Sequence, residues 1–360
     1  MDIFNIYLPV AGIEFNVLLL ILIGFCVGVL GGFFGVGGGW IVTPALNIFG
    51  FHMAYAIGTD LANIFGQSIG ATKKHQKMGN IDWKLGFISI VASIVGLELG
   101  SQVILKLEAV GSAGEIVRWC YLVLMFGLSG FMFYDYFVLN PRQAKSSGEE
   151  KPQTSRSSIA IKLHHVKIPP MISLPASDIP SVSLWIVLLV FLVTGFLSGF
   201  LGVGGGFIRM PALVYLIGVP TVIAVGTDLM SVLFAGAYGC FTYALKGRVE
   251  FIAAFFMLIG ASIGAQIGAT AIKYIKGYGI RLLFAIMIVF AGCSVALEQI
   301  YKLSLVEFYQ TTAGIVLMGT AVSMTLIIIA RSSAGSSAWT MARPMSRWAR
   351  SANWRCVARR

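Results

Sequence analysis

The stretch GFFGVGGGWIVTPAL runs from Gly32 to Leu46, and GFLGVGGGFIRMPAL runs from Gly199 to Leu213. Eleven of the fifteen positions are identical, at a spacing of 167 residues. Each copy sits inside an apolar run, yet GVGGG has almost no side-chain bulk and strongly disfavours helix. The segment that follows each glycine cluster is apolar for only about 11 residues, too short to cross a bilayer alone. The pattern predicts a helix, a glycine bend and a short half-helix that starts inside the protein, once in each half of the chain.

The repeat extends outward from the glycines. AIGTDL (56–61) is answered by AVGTDL (224–229), and GNID (79–82) by GRVE (247–250), both 168 residues apart. Gly96 and Gly100 match Gly264 and Gly268, and Arg118 matches Arg281. Apolar segments at about 16–34, 40–50, 53–72, 85–105 and 116–139 recur at 183–201, 207–218, 221–244, 251–272 and 279–301, and one more lies at 309–330. Duplicated halves are a common plan of secondary transporters. The organisation is therefore a first transmembrane repeat (16–139), a polar linker (140–182), a second repeat (183–301), an extra transmembrane helix (309–330) and a basic tail (331–360) expected to be disordered.

Composition agrees. Of 360 residues, 57% are hydrophobic and 11% charged, with a mean hydropathy of +0.85, whereas soluble domains carry about 25% charged residues. The fold class is all-α, polytopic and membrane-embedded, placed in the cell membrane, with glycine-broken helices in two homologous multi-helix halves. The net charge of +11 comes from Lys and Arg in loops and tail, as the positive-inside rule has it, so nucleic acid is rejected as a partner. Five scattered cysteines with no C-x-x-C give neither a disulfide framework nor a metal site. No cofactor is implied, and no nucleophile–base pair points to an enzyme.

Charge also bears on how the halves lie. With 73–84 and the linker inside, an inverted arrangement places Lys273, Lys276, Arg281 and the seven arginines of the tail inside as well. It leaves the acidic N-terminus outside and misplaces only Lys246, Arg248 and Glu250. A parallel arrangement puts both positive groups outside, so the inverted repeat is expected. Lys73, Lys74, His75 and Lys77 read as a cytoplasmic anchor. His164 and His165, in a part of the linker with some extended character, are expected to face solvent.

The first N–H groups of a half-helix lack intrahelical partners and carry the positive end of its dipole. With glycine allowing close approach, two such bends would cradle an anion. We therefore expect backbone contacts from Gly37, Gly38 and Gly39 and from Gly204, Gly205 and Gly206; close helix packing by small residues is the other reading. Gly96-x-x-x-Gly100 and Gly260-x-x-x-Gly264-x-x-x-Gly268 read as packing alone. Thr59 and Thr227 are expected to donate hydroxyl bonds, and Asp60 and Asp228 to shape the site or carry a proton; helix capping is their plain alternative. Asn63 and Gln67 lie on the same helix face as each other. Arg209, whose counterpart is Val42, either meets the solute's charge or pairs with Asp228.

The ordered, duplicated set of G-x-G-G-G followed by Pro, then G-T-[DS], then G-x-[IV]-[DE], resembles the sulfite exporter TauE/SafE family over about 16–301. The resemblance implies two homologous multi-helix halves and the movement of sulfite, sulfonates and related organosulfur anions, with direction differing among members. The linker, the last apolar segment and the basic tail depart from a compact member. The expected function is a secondary transporter of a small anion, with protons as the coupling ion to test first. A passive anion channel and a membrane scaffold are the alternatives. The expected partners are the anionic solute and the lipid bilayer, with a homo-oligomer as an open option.

Overall fold

The computed structural model describes residues 4–139, 158–164, 168–202, 205–275 and 277–357. The linker stretch 140–157, His165, Gly204 and Lys276 lie outside the described residues. Each half opens on an antiparallel hairpin: β1 (Asn5–Leu8) with β2 (Ile13–Asn16), and β3 (Met171–Leu174) with β4 (Ile179–Ser183). The second realises the extended character of the linker. The first has no warning in hydropathy, but Leu8-Pro9 matches Leu174-Pro175 at a spacing of 166 residues, so the duplication includes the hairpins.

Five helical segments follow in the first half: α1 (Val17–Phe34), α2 (Gly39–Ile48), α3 (Met53–Lys77), α4 (Trp83–Val110) and α5 (Ala113–Tyr134). Between the halves lies α6 (Ser158–His164). The second half has α7 (Leu184–Leu201), α8 (Gly206–Ala212) continued by a π-helical turn Leu213–Ile217, α9 (Thr221–Leu245), α10 (Phe251–Ala271) and α11 (Gly277–Ser304). The last helix, α12 (Glu307–Val357), does not stop at residue 330 but runs on through most of the basic stretch, whose Ala, Arg and Met residues are good helix formers. Among the described residues, eight helices are long and apolar enough to cross a membrane; α3, more polar than its counterpart α9, is not among them.

Local chemistry sets the helix ends. Asn16 caps α1 by accepting from Leu18 and Leu19 N–H at 3.0 and 3.3 Å, the usual work of an N-cap. Asp82 caps α4 and Glu250 caps α10 in the same way. Gly35 and Gly202, both left-handed, close α1 and α7 with N–H bonds of 2.9 Å to Gly31 and Ser198.

The halves interlock. A β-carbon on Gly24, Gly28 or Gly32 of α1 would run into the backbone of Met257, Ala261 and Ala265 on α10. Gly96 and Gly100 of α4 stand in the same relation to α7, where Gly195 and Gly199 meet Ser93 and Leu97 in return. The packing glycines therefore let backbones touch, as expected. Charged pairs are exchanged too: Arg118 of α5 lies 3.9 Å from Glu298 of α11, and Arg281 of α11 lies 3.8 Å from Asp135, just past α5.

The direction of the repeat is legible in α3 and α9. Gly58 faces Tyr243, Leu61 faces Gly239, and Ile64 and Phe65 face Gly236. Matching helices thus run antiparallel, which fits an inverted repeat. Phe15 stacks edge-on against Phe49 and Phe51, and Gln310 at the start of α12 bonds the Ile48 carbonyl at 2.9 Å. The N-terminal hairpin, the end of α2 and the start of α12 therefore share one end of the bundle. His164, expected to face solvent, is half-buried, with Nε2 2.9 Å from the Ile217 carbonyl oxygen, because α6 docks on the π-helical turn.

Reporters fused at residue 150 and at residue 335 are expected to read the same side of the membrane, and one at the N-terminus the opposite side. Gly28→Leu is expected to cost at least about 1–3 kcal/mol by overpacking, seen as lost monodispersity and a lower unfolding temperature in detergent. The same change at Gly127, where a β-carbon would meet nothing within 4 Å, is expected to be neutral.

Candidate functional site

Both glycine bends are left-handed turns at the centre of the molecule. Gly37 and Gly38 have φ of 71° and 80°, and Gly205 has 76°, values that favour glycine over any residue with a β-carbon. A β-carbon on Gly38 would also collide with the Val27 side chain. Helix α2 starts directly from Gly38 and α8 from Gly205, so the first N–H groups of each have no carbonyl within their own helix.

The bends support one another. A β-carbon on Gly206 would come within 2.5–2.8 Å of the Val36 backbone. Gly35 abuts Val225 of α9, and Gly202 abuts Ile57 of α3, matching positions in the two halves. The starts of the half-helices and the opening turns of α3 and α9 thus converge on one region.

The two remaining motifs are partners across the halves. Thr59 Oγ1 accepts the N–H of Glu250 at 2.9 Å, and Thr227 Oγ1 accepts the N–H of Asp82 at 2.9 Å. The acids then reach the hairpins: Glu250 Oε2 accepts from Val10 and Ala11 N–H at 2.7 and 3.1 Å, and Asp82 Oδ2 accepts from Ser177 at 2.7 Å. The threonines therefore already have a protein partner, a latch between halves that no motif read singly discloses.

The buried acids differ. Asp228 Oδ1 lies 3.4 Å from Arg209 Nη1, and both side chains are fully buried. Arg209 also reaches Thr194 at 3.4 Å and lies over the Phe191 ring. The ion pair with Asp228, one of the two readings of Arg209, is present, and Arg209 Nη2 has no partner among the described residues. Asp60, equally buried, has Oδ2 held by the Thr43 hydroxyl at 2.8 Å, while Oδ1 has no partner among the described residues. Thr43 was not singled out by the sequence, because it has no polar match in the second half, where Met210 stands.

The polar face of α3 continues from Asp60. Gln67 Nε2 donates to the Gly37 carbonyl in the bend, and Asn63 is buried with neither amide atom partnered among the described residues. His75 is not part of a surface anchor. Lys73 and Lys77 are exposed, but His75 is fully buried with Nε2 3.1 Å from the Gly32 carbonyl oxygen, since helical periodicity turns it onto the face of Gln67. Tyr243, its match, donates to Gly199 at 2.9 Å. On α9 the positions of Asn63 and Gln67 hold Ser231, which is bonded to Ser89, and Ala235. No group of His, Cys, Asp and Glu among the described residues could hold a metal. These groups can orient a small polar solute in a dry environment and can hold a proton.

Breaking a buried ion pair from one side leaves an uncompensated charge, typically about 3–5 kcal/mol. Arg209→Met and Asp228→Asn are each expected to destabilise strongly, and the double variant to recover most of the loss. A double-mutant cycle on detergent unfolding checks this. Asp60→Asn, which deserts no cation, is expected to cost far less.

Residues 20–295 match the family model described as sulfite exporter TauE/SafE. The "Probable membrane transporter protein YunE" of Bacillus subtilis (strain 168) is 24% identical over 292 residues, covering 79% of this chain and 98% of the relative. The "Probable membrane transporter protein MJ0441" of Methanocaldococcus jannaschii is 31% identical over 205 residues, 54% of this chain and 60% of the relative. No solved structure matches. With eight candidate spans, two interlocked halves and a family match over most of its length, the chain is a multi-pass membrane transporter protein that belongs to the sulfite exporter TauE/SafE family.

Proposed function

We propose that the chain is a secondary transporter for a small oxyanion, a sulfur oxyanion or organosulfonate, bound where the two glycine bends meet. The observation that carries the reading is the contact of Gly206 with the Val36 backbone, which brings together the starts of two broken helices beside buried acids. Dehydrating an anion is costly, and unpaired N–H groups at a half-helix start can replace its water. Gly37, Gly38 and Gly39, with Gly205 and Gly206, supply that backbone; the match at Gly204 lies outside the described residues. Arg209 is paired with Asp228, which offsets its charge, and its Nη2, unpartnered among the described residues and next to Gly205, adds a donor to those dipoles without an uncompensated cation to hold the solute.

The two aspartates take different parts. Asp228 belongs to a neutralised pair that holds α8 against α9. Asp60 is bonded to Thr43 and has no cation beside it among the described residues, so a proton is the simplest species to balance its charge, and it is the residue that would couple solute to a proton gradient. Alternation would rock one half against the other, with the Thr59–Glu250 and Thr227–Asp82 latches at the contacts that must shift.

The test is flux in proteoliposomes with labelled sulfite, thiosulfate and a small sulfonate, with and without an imposed pH gradient. Saturable flux that follows the gradient is expected, together with loss of gradient dependence in Asp60→Asn and loss of flux in folded Gly38→Ala. Absence of flux for all three solutes in folded protein would overturn the reading.

A further inference from the structure

Asp60, Asn63 and Gln67 follow one another on a single face of α3 at helical spacing. Asp60 is held by Thr43 of α2, and Gln67 by Gly37 of the bend. Asn63 lies between them on that face. It is 0% exposed, and both its amide atoms lack a partner among the described residues, as do Asp60 Oδ1 and Gln67 Oε1. Turning the Gln67 amide would put its oxygen against the Gly37 carbonyl, so Oε1 stays an acceptor. Asn63 offers one donor and one acceptor whichever way it is turned.

Asp60, Asn63 and Gln67 therefore present three unmet acceptors alongside one side-chain donor, on the helix that Thr43 and Gly37 tie to the α2 start with its N–H groups. Donors suit the oxygens of an anion. The acceptors do not, because an oxyanion with lone pairs alone would leave them buried and unsatisfied. At the matching positions of the second half the surplus is smaller: Ser231 is bonded to Ser89, Ala235 replaces Gln67, and Asp228 keeps a single oxygen, Oδ2, without a partner among the described residues, beside the equally unpartnered donor Arg209 Nη2.

We propose that the α3 face of the first half selects an oxyanion that also carries its own hydrogen-bond donor, an O–H or N–H. Its anionic oxygens lie on the α2 start and Asn63 Nδ2, and its donor on Asp60 Oδ1, Asn63 Oδ1 or Gln67 Oε1. This rests on the anion-transport reading and adds the class of solute to it.

Sulfamate and methanesulfonate separate the two ideas, since they share charge and shape and differ by NH₂ against CH₃. Binding of each to the full-length wild-type protein in detergent is measured by calorimetry. Sulfamate is expected to bind about tenfold more tightly or better, the usual effect of satisfying a buried acceptor. Asn63→Leu is expected to narrow that preference, and Ser231→Ala to keep it; the wild-type comparison stands alone if Asn63→Leu fails to fold. Equal affinities, or tighter methanesulfonate, would assign the free atoms to bound water and overturn this proposal while leaving the anion reading intact. Binding of neither, in monodisperse protein, would overturn both.

Discussion

A broken helix in hydrocarbon leaves N–H and C=O groups that lipid cannot satisfy, and the rest of this structure follows from where those groups are placed. Both breaks lie at the centre, Gly206 against the Val36 backbone, with Gly35 and Gly202 each wedged on the long helix of the other half. Neither bend is enclosed by its own repeat. One half alone would expose its bend, so the duplication is a structural requirement as much as an evolutionary record.

The same exchange recurs at every level of the contact between halves. The threonine of each G-T-D motif holds the loop of the opposite half, and that loop's acid holds the opposite half's hairpin. Glycine faces on α1 and α4 lie against α10 and α7. Motifs that look like independent signatures along the chain are the two sides of common joints. Aromatic side chains join the halves as well, with Phe34 and Trp40 against Phe284 and Tyr121 stacked on Phe207.

Against that symmetric frame, the chemistry is asymmetric. The first half keeps Asp60, Asn63, Gln67 and His75 on one face of α3; the second has Asp228 tied to Arg209, the small residues Ser231 and Ala235, and Tyr243 bonded to Gly199 at the matching positions. Among the described residues the first half keeps unpartnered buried atoms on Asp60, Asn63 and Gln67, while the acid of the second is paired with Arg209. That division suits a carrier in which one half presents the solute and the other braces it.

Much of the molecule was legible in the amino-acid order. Periodicity and the 167-residue repeat determine the spans, the glycine breaks and the two halves, because in a membrane hydropathy and helix-breaking residues leave few alternatives. Loop charge favoured the inverted arrangement, which the antiparallel α3–α9 contact fits. What only the tertiary structure decided is who partners whom. Arg209 is paired with Asp228; His75 looked like an anchor and is buried; Thr43 and the hairpin contacts carried no local signal. These depend on residues 17 to about 240 positions apart in the chain, and nothing in local sequence encodes the distance between side chains that only folding brings together.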